Sequence, residues 1–190
     1  MAIDPSRFQT LNVVDTCSIW NILSSRILYS RACSAGCFFC CTEFVYYECL
    51  YKPRKNSTEK DVDLQNRLRK ECKNGDFKRH HLDIEDLQDV ALLQNRKNLS
   101  KGEIASIAFA KKTRQAFLTD DQKARKLAAE VMEQYMVQTV PHLLGWLYFT
   151  NRLGDCDLNQ IIEEHKQCGR PLTSHFQEMY RTALHYRSML

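Results

Sequence analysis

At 190 residues the chain is long enough for one α/β domain with a real core and short for two. Hydrophobic residues at 44% and charged residues at 26% fit a globular protein, and no apolar run approaches the roughly 20 residues of a membrane span. The net charge of +4 is a mild sign of an anionic partner, and a start without a signal-type apolar stretch points to the cytoplasm.

In chain order, Leu11-Asn12-Val13-Val14-Asp15 reads as a short apolar strand ending on an acid, followed by a helix from Thr16 to about Leu28. Cys37 to Thr42 reads as a second strand running into a helix that carries Glu43 and Glu48. Lys52 to Lys60 is a loop, and Asp61 to Cys72 a polar helix stopped near Asn74-Gly75. His80 to Asp83 is the candidate third strand, and helices are expected over Ile84–Gln94 and Lys101–Lys112. Gln115 to Thr119 is the fourth strand, with a helix starting at Asp120-Asp121. Tyr135 to Thr139 is the expected fifth, edge strand, before a helix containing Leu143, Leu144, Trp146 and Leu147. Two further helices, separated by Gly169-Arg170-Pro171, form a C-terminal extension over residues 154–190.

Nine cysteines, an odd number without an export signal, read as reduced thiols. Cys37 and Cys40 have CxxC spacing, yet no second pair completes a zinc site, and the run around them reads as a strand. Cys37, Cys40 and Cys41 are therefore expected to be buried core thiols.

Alternating strands and helices imply a central, mainly parallel sheet of about five strands joined by right-handed crossovers. Ligands of such sheets bind beyond the carboxyl ends of the strands. Asp15, the Thr42-Glu43 junction and Asp120-Asp121 all stand where a strand gives way to a helix. Acids distant in sequence are thus expected at one sheet edge.

Four segments carry a resemblance: Val13-Val14-Asp15-Thr16-Cys17-Ser18, Tyr46-Tyr47-Glu48-Cys49-Leu50, Lys101-Gly102-Glu103-Ile104-Ala105, and Leu118-Thr119-Asp120-Asp121-Gln122-Lys123-Ala124-Arg125. In order and spacing they resemble the PIN-domain nucleases over roughly Leu11 to Leu153. The resemblance implies a three-layer α/β/α nuclease domain over residues 1–153 that cleaves RNA, less often DNA, with Mg²⁺ or Mn²⁺. It implies Asp15, Glu48, Glu103, Asp120 and Asp121 as catalytic residues. Asp15, Glu103 and one or both of Asp120 and Asp121 would hold the ion, and Glu48 would act through water or position the nucleophile. Glu43 competes with Glu48 for the second position, and Glu103 stands where many family members carry Asp. The helical tail exceeds the small toxin-type members of the family.

Hard cations such as Mg²⁺ take oxygen ligands and keep several waters, so a few carboxylates and a substrate phosphate suffice. Each acid also has a plain structural reading. Ser100-Lys101-Gly102-Glu103 fits a capping box, Asp15 and either Asp120 or Asp121 fit helix N-caps, and Glu48 fits a solvated helix face. Lys123, Arg125 and Lys126 follow the last acids and are the expected phosphate contacts, with Lys123 and Lys126 sharing a face. A second basic group runs from Lys52, Arg54 and Lys55 through Arg67, Arg69, Lys70 and Lys73 to Lys78 and Arg79. His80 and His81 point to opposite faces of a strand and make a poor zinc pair. Tyr46, Tyr47, Trp146, Tyr148 and Phe149 are expected in the core rather than as base-stacking surface. A non-catalytic PIN fold that binds nucleic acid or serves as a scaffold is the alternative reading; a phosphatase lacks its phosphate loop. A homodimer or a regulatory protein partner stays open, and no membrane is expected.

Overall fold

The computed structural model describes residues 4–53, 58–83 and 99–189. Five strands form one all-parallel sheet in the order β3-β2-β1-β4-β5: β1 Leu11–Val14, β2 Phe38–Thr42, β3 Phe77–His80, β4 Ala116–Leu118 and β5 Val137–Gln138. Helices cover both faces, giving the three-layer α/β/α architecture.

Strand alternation builds the two half-cores. Val14, Phe39, Cys41, Phe77 and Leu118 face one side, and their neighbours Val13, Cys40 and Phe117 face the other. Both faces are buried, so the strands read as continuous apolar runs rather than alternating ones. Cys37, Cys40 and Cys41 are buried free thiols, as the strand reading requires, and desolvation pushes Cys37 and Cys40 up to about 12. Thiols held protonated in this way are poor metal ligands.

The first face is covered by α1 (Thr16–Ser24), α2 (Arg26–Ser34), α3 (Glu43–Leu50) and α4 (Glu59–Asn74), and the second by α5 (Lys101–Thr113) and α6 (Gln122–Val131). The expected helix over Thr16–Leu28 is two helices. Ser25 breaks it in extended backbone and accepts from Leu28 N at 3.1 Å, capping α2. The third strand begins at Phe77, three residues before the expected start, because Phe77 is the apolar anchor that pairs with Phe39. Gly75, at φ 85°, closes α4 in the left-handed conformation just ahead of it. The helix expected over Ile84–Gln94 lies outside the described residues. The fifth strand shortens to Val137–Gln138 and does take the sheet edge.

The C-terminal helices α8 (Asp157–Gln167) and α9 (Thr173–Arg187) join the first half-core rather than hanging from it. Gly145 of α7 (Val140–Phe149) lacks a Cβ where Met179 of α9 lies against it. Tyr148 meets Tyr180 edge-on at 4.8 Å, and Phe176 is fully buried against His165. Among the described residues, no helix is long and apolar enough to cross a membrane.

Phe176→Ala should therefore destabilise the whole chain by about 3–5 kcal/mol in urea denaturation, in a single transition shared with the sheet. A separate early transition, with the main one unmoved, would make the tail an independent unit.

Candidate metal centre at the carboxyl edge of the sheet

The parallel pairing of β1 with β4 sets Val14 beside Leu118, so the next residues, Asp15 and Thr119, leave the sheet together. Asp15 is 1% exposed. Its Oδ1 accepts from Ser18 N at 2.7 Å, making it the N-cap of α1, and its Oδ2 accepts from Thr119 Oγ1 at 2.5 Å. Asp120 sits one residue beyond. Its Oδ2 accepts from Asn21 Nδ2 at 2.7 Å, and its Oδ1 accepts from Val140 N, the first residue of α7, at 3.0 Å. Ser18 links the two acids, since its Oγ accepts from Asp120 N at 2.9 Å while its backbone N–H holds Asp15.

Burial raises both carboxyls, Asp15 to about 7 from an ordinary 3.8, and the negative charge of Asp120 adds to the rise at Asp15. The hydrogen bonds from Thr119, Ser18, Asn21 and Val140 pull the other way. The Arg125 guanidinium also lowers the proton affinity of Asp120. Arg125 is half-buried, whereas Lys123 and Lys126 are exposed, so the three basic residues divide as helical spacing predicts.

The remaining acids form a looser ring. Glu48 Oε2 accepts from Thr16 Oγ1 at 2.8 Å, which ties α3 to the residue after Asp15. A Cβ on Gly102 would stand 2.7 Å from that same oxygen, so the glycine lets the start of α5 approach Glu48. Glu103 is turned back onto Ser100 N at 2.8 Å in a complete capping box. Asp121 accepts from Lys123 N and Ala124 N at 2.7 and 2.8 Å as the N-cap of α6. Glu43 is the acid that drops out, paired with Arg79 at 2.9 Å and His81 at 3.0 Å. His80 packs its ring on Phe109, 4.9 Å away, so the two histidines do part to different surroundings.

Of the expected acids, Asp15 and Asp120 stand together, and Glu48 is hydrogen-bonded to Thr16, the residue after Asp15. Glu103 and Asp121 take their structural roles here. Among the described residues, no group of three or more His, Cys, Asp or Glu side chains is arranged to hold a metal ion. Thr16, Ser18, Asn21 and Thr119 were missed as orienting groups. Ser18 and Asn21 carried a usable signal, lying three residues apart on one helical face after Asp15.

The Asp15–Asp120 pair offers oxygen donors alone, the donor type that hard divalent cations take. The two carboxylates are desolvated and repel each other, and Asp15 Oδ2 and Asp120 Oδ1 retain a lone pair beyond the bonds from Thr119 and Val140. The nearby Cys17 thiol, pushed up to about 12 by burial and then by these two acids, stays protonated and offers no soft ligand. No family model matches the chain, and no curated protein matches it.

The raised carboxyl of Asp15 makes a pH prediction. The folded state keeps a proton that the unfolded chain releases near 3.8, so the contribution to stability is full at low pH and is lost as pH rises through about 7. Asp15→Asn keeps the cap and removes the charge. It should flatten the dependence of Tm on pH between about 4 and 7 and raise metal-free stability above pH 7, on the order of a few kcal/mol. A variant with an unchanged pH profile would show that Asp15 carries no such penalty.

Proposed function

We propose that the chain is a divalent-metal-dependent nuclease, with RNA its substrate ahead of DNA. The observation that carries this reading is the desolvated Asp15–Asp120 pair at the carboxyl edge of a parallel sheet, with Glu48 tethered beside it. The resemblance of the four acid-bearing segments to PIN-domain nucleases supports the same reading, with Mg²⁺ or Mn²⁺ as the cofactor.

In this mechanism Asp15 is the central ligand and Asp120 its partner, both oriented before substrate arrives by Ser18, Thr119, Asn21 and Val140 N. A bound divalent ion supplies an acidified water and offsets charge on the phosphate. Glu48, fixed by Thr16, orients the attacking water. Glu103 and Asp121, held on their caps at the starts of α5 and α6, add negative potential to the same edge. Arg125 steadies Asp120, and the exposed Lys123 and Lys126 take the substrate phosphates. In the second basic group, Arg67 is bound to Asp63 at 2.6 Å and Leu23 O at 2.8 Å, and Arg79 pairs with Glu43, so these two are already partnered; Arg54 and Lys55 lie outside the described residues.

The competing reading, a PIN fold that binds nucleic acid without cutting it, draws on the lack of a preassembled three-acid group among the described residues. Cleavage of labelled single-stranded RNA separates the two. Activity should require Mg²⁺ or Mn²⁺, disappear in excess EDTA, and fall at least about 100-fold in Asp15→Asn. Full cleavage in EDTA would sink the metal mechanism, and binding without cleavage would establish the competitor.

Lys123→Ala with Lys126→Ala should weaken RNA binding and leave Mn²⁺ affinity intact. The salt dependence of binding should flatten by a slope of about one for each phosphate that the helix no longer neutralises. An unchanged slope would assign this face of α6 to solvent.

A further inference from the structure

Tyr47 was expected in the core, yet it is 54% exposed, and Tyr51, one helical turn on at the end of α3, is 61% exposed. Their rings stack on each other, with centroids 6.2 Å apart and planes 22° from parallel. Tyr46 braces the pair from the protein side: its ring lies 6.1 Å from Tyr51, and the Arg79 guanidinium sits 4.8 Å over its centroid. The outer tyrosines are therefore held in place while more than half of each side chain's surface stays in water.

Tyr47 forms one wall of a groove of about 920 Å³ between α3, the start of α5 and the segment after β3. Lys52 and Lys101 stand in this groove, and both are exposed. Of the two acids there, Glu43 is neutralised by Arg79, and Glu48 is the residue tethered beside Asp15. An aromatic wall, two solvated cations and one end opening on the acidic edge match a chain of phosphates bearing flat, unstacked rings.

We propose that Tyr47 and Tyr51 are a stacking platform for the unpaired bases of a single-stranded nucleic acid, whose backbone passes Lys52 and Lys101 toward Glu48. The direction toward Glu48 rests on the nuclease reading; the ligand class follows from the groove itself. The platform accepts any base, because every base offers a π face, and it rejects duplex, whose bases are already stacked.

The test measures anisotropy of labelled 12-nucleotide single strands, RNA and DNA, with the full chain in EDTA, so that binding is read without cleavage. Tyr47→Ala and Tyr51→Ala should each lower affinity about tenfold or more without altering the salt slope, while Tyr47→Trp keeps it. Lys52→Ala with Lys101→Ala should reduce the slope instead. An abasic strand of equal charge should bind weakly and no longer distinguish wild type from the tyrosine variants. The platform is overturned if the tyrosine variants bind like wild type, if duplex binds as well as single strand, or if Tyr47→Ala instead dissociates a dimer in sedimentation. Tyrosine-dependent binding by a protein that never cleaves would remove the nuclease reading and leave the platform standing.

Discussion

The structure turns on two carboxylates that the β1–β4 register forces out of water side by side. Pairing Val14 with Leu118 leaves Asp15 and Asp120 to emerge from adjacent strands at a point roofed by helices. Desolvation and mutual repulsion both oppose their charges. What holds them is helix geometry: Asp15 takes a free N–H of α1 through Ser18, and Asp120 takes one of α7 through Val140. Backbone donors at two helix starts, with their positive dipole ends, do here what water does elsewhere.

The fold was readable because its signals are local and repeated. Four of the strands run into a polar residue that opens a helix: Asp15, Thr42, Asp121 and Thr139. The strand around Phe77 was misplaced because its exposed Lys78 and Arg79 hide the pattern, and only Phe77 itself is buried. At the site, position in sequence revealed which acids approach one edge but not their rotamers. Glu103 and Asp121 each have a backbone N–H within three residues, and those near donors hold them locally. Tyr47 was misread because a tyrosine in an apolar helix has the composition of core, and only the helix's rotation against α4 and α5 decides what it faces.

Structural and chemical readings of an acidic N-cap are often set against each other, but they make different demands on solvent. Capping needs one oxygen near a backbone N–H, and this chain meets that need with neutral side chains at Ser25, Thr42, Ser100 and Thr139. Where a carboxylate assists a cap at little cost, it keeps part of its surface in water, as the half-buried Asp61 does in the Thr58 capping box. Asp15 does neither. It is a charged cap with 1% exposure, beside a second carboxylate whose own protonation burial also favours. A serine at that position would cap α1 without the desolvation cost. The carboxylate at Asp15 is therefore in excess of what the helix requires, and in the proposed nuclease a cation shared with Asp120 would offset the cost of the buried pair.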